Sequence, residues 1–132
     1  MLHTTNYHST FITIAPDSVI EVGIVPPKPD SIAGRQYALL HANPYALTSD
    51  DLLYTVHVAK NGLPDTAETR VEYFSKPKAC LRVSPLPKQF GWGIHHDAEG
   101  RLAIYPVESA DYARLVRDDH VKVRPAVRIK RM

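Results

Sequence analysis

The sequence predicts an α+β fold, with a small antiparallel sheet built on a central β-hairpin over residues 91–107 and three to four helices packed on one side. Short runs alternate apolar and polar residues with the period of a β-strand, and longer runs carry apolar residues at helical spacing. An Asp-Ala-Glu-Gly turn at 97–100 joins two of the strand-like runs. All residues, 1–132, are assigned to a single domain.

The first third of the chain predicts a strand, a connector and a helix. Residues 10–15 are rich in β-branched side chains and stop at a Pro-Asp pair, which predicts a strand. Residues 19–29 contain a glycine and three prolines and predict an extended loop or a short strand. Ser31 then offers the N-cap of a helix that ends before Pro44. The apolar face of this helix is predicted to be Ala33, Tyr37 and Leu40.

Two further helices are predicted in the middle of the chain. Residues 48–51 read Thr-Ser-Asp-Asp, a close variant of the capping box, and Gly62 supplies a left-handed C-terminal stop. The buried stripe of this helix is predicted to be Leu52, Leu53, Val56 and Ala59. A shorter helix over residues 66–75 is predicted to begin at a cap provided by Asp65. Its inward side chains are predicted to be Val71 and Phe74.

Residues 80–84 and the hairpin are predicted to lie close together as three strands. Leu81 and Val83 alternate with polar residues, and the prolines that follow are expected to end this strand. Side chains alternate between the two faces of a strand. In the hairpin this puts one set on one face, namely Trp92, Ile94 and His96. The opposite face receives Gly93, His95 and Asp97.

The last part of the chain predicts one helix and one strand. Ser109 caps the helix, whose inward residues are predicted to be Tyr112, Leu115 and Val116. Residues 121–129 alternate apolar and basic side chains around Pro125. This pattern predicts an edge strand, with a frayed helix as the alternative.

Composition and charge exclude several classes of protein. A hydrophobic content of 44% and a charged content of 23% are typical of a soluble globular domain. No apolar run is long enough to cross a membrane, and the first residues lack the basic start and apolar core of a signal peptide, so a cytoplasmic location is expected. The C-terminal tail is basic, but no aromatic residues are interleaved with it, and nucleic-acid binding is not expected.

The polar residues around the only tryptophan suggest a site for an anionic small molecule or a protein partner. Arginine offers a planar fork to a carboxylate or phosphate, and lysine offers a point charge. The predicted ligand-binding residues are Arg82, Ser84, Lys88, Trp92 and His95. The alternative is that the basic members of this set pair with acidic residues on the surface.

A hydrolase is the alternative function, and whether the chain is an enzyme is left open. Cys80 and His95 are the candidate nucleophile and base, although a lone cysteine in a strand is more often a small buried hydrophobe. His95 and Asp97 are the candidate metal pair, to which no other histidine adds a metal-binding spacing. No cofactor motif is present, and no cofactor is expected. A homo-oligomer formed through the hairpin or an edge strand is a third possibility.

Several short motifs carry a resemblance to a known family. They are Thr-Thr-Asn-Tyr at 4–7, Asn-Pro-Tyr at 43–45, Thr-Ser-Asp-Asp at 48–51, Cys-Leu-Arg-Val-Ser-Pro-Leu at 80–86 and Gly-Trp-Gly-Ile-His at 91–95. Through them the chain resembles, over nearly its whole length, a functionally uncharacterised family of small bacterial and fungal proteins, a domain of unknown function. The resemblance implies no activity, ligand or catalytic residue. It also implies a more helical tail than Pro125 favours.

Overall fold

Four short strands form one sheet at the centre of the molecule. The computed structural model describes residues 3–130. Its strands are β1 (Thr10–Thr13), β2 (Trp92–His96), β3 (Leu102–Pro106) and β4 (Lys122–Pro125), in the order β3-β2-β1-β4. Strands β2 and β3 form the predicted hairpin, with Trp92 opposite Pro106 and His96 opposite Leu102. The α+β class and the central hairpin are confirmed.

The tip of the hairpin is closed by one carboxylate and one glycine, as the sequence predicts. Asp97 Oδ1 accepts hydrogen bonds from the backbone N–H groups of Glu99 (2.9 Å) and Arg101 (2.8 Å). Gly100 has a φ of 81°, in the left-handed region that favours glycine. The side chain of Asp97 is therefore committed to the turn.

The sheet is mixed, which corrects the prediction of a purely antiparallel sheet. Strand β1 pairs antiparallel with β2 but parallel with β4, where Thr10 lies opposite Lys122 and Ile12 lies opposite Arg124. The chain leaves β3 at one edge of the sheet and crosses one face through helix α5 (Ala110–Val116) to enter β4 at the other edge. A helical crossover of this kind delivers a parallel strand, whereas a short turn delivers an antiparallel one.

The other helices are α1 (Ile32–Ala42), α2 (Ser49–Asn61), α3 (Ala67–Phe74) and α4 (Pro85–Gln89). The predicted caps at Ser31, Thr48 and Ser109 are confirmed, because each hydroxyl accepts the backbone N–H three residues later. Thr48 and Asp51 form a complete capping box, and Gly62 ends α2 in the left-handed conformation. Among residues 3–130, no helix is both long and apolar enough to span a membrane.

Three predicted details of these helices are wrong. Helix α3 is capped by Thr66, whose hydroxyl accepts from Thr69 N, while Asp65 accepts a hydrogen bond from the Tyr54 hydroxyl (2.8 Å). Val71 is 53% exposed, and of the two predicted inward residues only Phe74 is buried. Helix α2 is buried on two sides rather than along one stripe: Leu52 and Val56 join the main core, and Tyr54 and Val58 pack with Phe74 of α3.

Residues 80–84 do not form a strand. Leu81–Val83 make one turn of 3-10 helix, and α4 begins directly after it. Ser84 caps α4 by accepting from Leu86 N (3.2 Å), and Pro85 takes the first helical position, where a missing N–H costs nothing. The alternation of Leu81 and Val83 resembles a strand only in sequence, since Val83 is 45% exposed.

Helices cover both faces of the sheet, so the prediction that all pack on one side needs correction. One face carries the main core, which includes Ile12, Leu40, Leu52, Leu86, Ile94 and Leu102. On the other face Phe11 packs edge-on against Tyr112 of α5, with ring centroids 4.9 Å apart. Gly93 permits this approach, because a Cβ there would lie 2.7 Å from the Tyr112 ring.

Loss of the capping hydroxyl at the start of α2 should destabilise the fold measurably. We expect Thr48→Ala to lower the free energy of unfolding by about 1 kcal/mol, since it leaves the N–H of Asp51 without its partner. Thr48→Ser keeps the hydroxyl and is the matched control. Urea unfolding of both variants checks this, and equal stability of the two would show that the cap contributes nothing.

Candidate functional site

The two adjacent histidines of β2 lie on opposite faces of the sheet. His96 pairs with Thr10 and Leu102, on the face that carries Ile12 and the main core. His95 pairs with Phe11, on the face covered by α5. The sequence prediction of alternating faces therefore holds, and it separates the two imidazoles.

His96 is the least expected side chain in the core. It is 0% exposed, and neither of its ring nitrogens has a hydrogen-bond partner among the described residues. Thr10, its neighbour on β1, donates its hydroxyl to the carbonyl of His8 (2.8 Å) and is not available. Burial lowers the pKa of His96 to about 4. A neutral imidazole offers one donor and one acceptor, so two hydrogen-bonding positions here are unmet.

Tyr7 lies beside His96 and connects it to the only cysteine. The rings of Tyr7 and His96 meet edge to face, with centroids 5.4 Å apart, and the Tyr7 hydroxyl donates to Cys80 Sγ at 3.1 Å. Burial is the largest cause that raises the pKa of Tyr7, and the hydrogen bond with Cys80 adds to it. The positive charges of Arg82 and Arg124 act on the same hydroxyl in the opposite direction.

The N-terminal segment places Tyr7 through a set of hydrogen bonds to the start of α2. The backbone N–H and the hydroxyl of Thr5 both donate to Asp50 Oδ1, each at 2.7 Å. Asn6 Oδ1 in turn accepts from Asp50 N at 2.9 Å. These reciprocal bonds explain why the polar stretch before Tyr7 is ordered against the body of the protein.

Arg82 is bonded to the residues that follow Arg124 in the tail, and both charges act on the Tyr7 hydroxyl. Arg82 Nε donates to the carbonyl of Pro125 (2.7 Å), and the carbonyl of Arg82 accepts from Val127 N (2.9 Å). Arg124 lies opposite Ile12, so its side chain leaves β4 on the same face as His96. Arg124 Nε is buried without a partner. The four ion pairs found among residues 3–130 involve neither arginine.

These residues form what we call the arginine cluster: Tyr7, Cys80, Arg82, His96 and Arg124. Two like charges held near each other repel, and a buried donor without an acceptor costs on the order of 1–3 kcal/mol. An oxyanion would offset both terms, because its oxygens accept from guanidinium and imidazole groups alike.

Of the five predicted ligand-binding residues, the structure places only Arg82 in this cluster. Ser84 is buried, caps α4 and donates its hydroxyl to Gln36 Oε1 (2.6 Å). Trp92 lies in the core, and its Nε1–H donates to the carbonyl of Ile24 (2.9 Å). Lys88 lies on α4, and His95 lies on the other face of the sheet. The five residues do not lie close together as predicted, because residues 80–84 do not form a strand beside the hairpin.

The candidate catalytic pair is likewise not brought together, and the candidate metal pair gains no further ligand among the described residues. Cys80 Sγ contacts Tyr7 on the face of His96, and His95 lies on the other face. Asp97 Oδ1 is bonded to the backbone of its own turn. Within residues 3–130 no group of three or more metal-ligating side chains converges, so His95 and Asp97 have no third ligand there.

His95 instead belongs to a chain of hydroxyl groups that the sequence did not suggest. Its Nδ1 lies 2.7 Å from the Tyr45 hydroxyl, which lies 2.7 Å from the Tyr105 hydroxyl. Tyr45 has a φ of 58°, a strained value for a residue with a Cβ. Burial lowers the pKa of His95 and raises that of Tyr45. The bonds saturate Tyr45 and tie the loop before α2 to the hairpin.

Sequence reasoning missed Tyr7, His96 and Arg124 as members of a site. Tyr7 stands in the Thr-Thr-Asn-Tyr motif at 4–7, which was a usable signal. In the sequence Arg124 is one residue of a basic tail, and the alternation of the hairpin puts His96 only on the face of Trp92 and Ile94. Their meeting depends on the pairing of β1 with β4, which no local pattern encodes.

Comparison with known proteins gives one match. A protein-family model described as a family of unknown function (DUF6157) matches residues 2–132. No curated protein and no solved structure matches the chain. The family resemblance seen in the motifs is confirmed, while the bacterial and fungal range stays a prediction.

Burial of His96 should make the stability of the protein depend on pH. Its pKa is about 4 in the folded state, against 6.5 for the free side chain, so between these values the unfolded chain binds more protons. Stability is therefore fully present above the unfolded value and is lost as the pH falls toward 4. We expect the free energy of unfolding to drop by on the order of 3 kcal/mol across this range from this group alone.

Urea unfolding at a series of pH values, with variants at two histidines, checks this expectation. His96→Leu fills a similar volume without an ionisable group and should flatten the dependence across this range. His120→Gln changes an exposed histidine and should leave the dependence as in the parent protein. An unchanged slope in His96→Leu would assign the pH dependence to other groups.

Proposed function

Since the chain belongs to the family of unknown function DUF6157, we propose its function from its own geometry: it is a binding module for a small anion held by the arginine cluster. The observation that carries the proposal is that neither Arg124 nor Arg82, which is bonded to residues following Arg124, has an acidic partner among the described residues. Beside them His96 presents unpartnered ring nitrogens.

The chemistry of the cluster favours a dianionic oxyanion group such as phosphate or sulfate, free or as part of a metabolite. Each guanidinium group can donate two parallel hydrogen bonds to such a group. The Nε of Arg82 is already used by Pro125, so its terminal nitrogens remain for the ligand. Two positive charges balance the two negative charges of the ligand, which offsets the free-energy cost of removing it from water.

His96 links this binding to pH. Burial holds its pKa at about 4, and a dianion placed beside the ring stabilises the protonated form and raises that pKa. Ligand and proton then bind cooperatively, because each favours the other by the same factor. The affinity for the anion should therefore increase as the pH falls.

Titration calorimetry with sodium sulfate tests the site, since sulfate keeps its charge across the useful pH range. We expect Arg124→Gln to weaken sulfate binding roughly tenfold or more, because it removes charge-assisted hydrogen bonds. Arg128→Gln is the matched control, an exposed arginine of the same tail. Arg124→Lys separates the two contributions of the side chain, since it keeps the charge and loses the fork.

The outcomes of this titration are distinct. Equal weakening by Arg124→Gln and Arg128→Gln would mean that sulfate is attracted only by the overall positive charge of the tail. This result contradicts the proposal. Undiminished binding to Arg124→Gln contradicts it as well. Affinity that rises between about pH 7 and pH 5 in the parent protein and not in His96→Leu supports the assigned role of the imidazole.

A thiol-dependent hydrolase is the second candidate, because Cys80 is partly exposed and lies within the arginine cluster. In this version the thiol would attack a substrate whose anionic group is held by the arginines, and His96, not His95, is the imidazole on its side of the sheet. A thiol that serves as nucleophile should react with alkylating agents in the native state.

Alkylation of Cys80 by iodoacetamide tests this candidate. We expect modification to be slower with sulfate bound, because an anion held by the arginines would shield the neighbouring thiol, and Arg124→Gln should lose this protection. The rate in urea is the reference for a free thiol. A native rate far below it excludes the hydrolase, whereas the binding module requires no reactive thiol.

The proposal also places the protein in the cytoplasm, where a single cysteine remains reduced. Self-association through the hairpin or an edge strand is a further part of the proposal. Strand β4 forms one edge of the sheet and carries Lys122 and Pro125, which discourage pairing of exposed strands, so the hairpin at the other edge is the favoured interface. Light scattering at two protein concentrations distinguishes a monomer from an oligomer.

A further inference from the structure

A second site lies away from the arginine cluster, in a cleft of about 450 Å³ between the start of α1, the end of α2 and helix α4. This volume is within the range of small-molecule sites. The cleft is lined by Pro27, Lys28, Ser31, Ile32, Ala33, Lys60, Pro85, Gln89 and Phe90. None of these residues belongs to the arginine cluster.

The wall of the cleft formed by residues 27–31 is held in place before any ligand arrives. The Ser31 hydroxyl donates to the carbonyl of Lys28 (2.6 Å), and Arg35 Nε donates to the carbonyl of Asp30 (3.2 Å). Gly34 lets this loop lie directly on α1, because a Cβ there would collide with the backbone of Lys28 and Pro29. A preformed wall lowers the entropy cost of binding.

The interior of the cleft is apolar. Proline, isoleucine, alanine and phenylalanine side chains make most of it, and Ile32 is 46% exposed there. A ligand with a hydrocarbon body would remove this surface from water, which is favourable in proportion to the apolar area covered. A strongly hydrated inorganic ion gains nothing from such a surface.

Two lysines at the same cleft specify the charge of the ligand. Lys28 and Lys60 both line it, and the ion pairs found among residues 3–130 involve neither. The hydroxyl of Ser31 is committed, since it donates to the Lys28 carbonyl and accepts from Gly34 N (3.0 Å). The polar recognition left to a ligand is therefore mainly cationic.

We propose that this cleft binds an amphipathic carboxylate, such as a medium-chain fatty acid, with its hydrocarbon body against Ile32 and Phe90 and its head group at Lys28 and Lys60. The two features that define the class are the apolar interior and the unpaired ammonium groups beside it. This function is separate from the binding of a small oxyanion by the arginine cluster, and neither depends on the other.

Calorimetry with octanoate and with octan-1-ol tests the proposal, because the two share a chain and differ in the charge of the head group. We expect octanoate to bind more tightly than the alcohol. Lys60→Glu should weaken octanoate roughly twofold to fivefold, as expected for a partly exposed charge pair, and leave the alcohol unchanged. Lys76→Glu, an exposed lysine outside the cleft, is the matched control.

A second variant places the ligand in the cleft and keeps this test separate from that of the arginine cluster. Ile32→Glu puts a carboxylate into the apolar interior and should abolish octanoate binding, while sulfate binding remains. Equal affinity of octanoate and octan-1-ol overturns the assigned head group. Octanoate binding that survives Ile32→Glu, or that sulfate displaces, overturns the assignment to this cleft.

Discussion

Strand β4 reaches the sheet only because α5 carries the chain across one face, and its parallel pairing with β1 fixes much of what lies on both sides. On one face the crossover supplies Tyr112 and Leu115, which bury Phe11. On the other face the same pairing sets Arg124 beside the core, and the end of β4 with the residues after it holds Arg82 through Pro125 and Val127. The candidate site is thus a product of the topology and of no single segment.

The arginine cluster lowers the stability of the fold. A histidine buried without partners and two arginines without an acid are each unfavourable, and a core of simple hydrophobes would avoid the first cost. Buried polar groups without partners are characteristic of functional sites, where a bound ligand supplies the missing interactions and offsets the free-energy cost of their burial. The capped helices and the hairpin turn stabilise the fold and so offset the cost of these unpaired polar groups.

The sequence was informative where a structure depends on neighbours along the chain. The hairpin turn, the caps at Ser31, Thr48 and Ser109, and the alternation of His95 and His96 all follow from local rules. It misled at Ser84, where a cap followed by Pro85 looked like the end of a strand, because both readings place polar residues before proline. Local rules cannot choose between the end of a strand and the start of a helix at such a position, because tertiary packing decides which one forms.

The types of side chain present suggest an anionic ligand and Arg82, and this stays a prediction. The other members of the cluster, Tyr7, His96 and Arg124, come from three distant parts of the chain. Their assembly requires the registers of two strand pairings at once. A shift of either register by one residue would turn His96 or Arg124 to the opposite face.

The position of β1 between β2 and β4 has a consequence for how the protein acquires its structure during synthesis. Strand β1 is made early, yet both of its partners emerge more than half a chain length later. Contacts between such distant segments must overcome the entropy of closing a long loop, so they form late and slowly. The helices α1 and α2 are complete well before that point, and the arginine cluster assembles only when β4 pairs with β1.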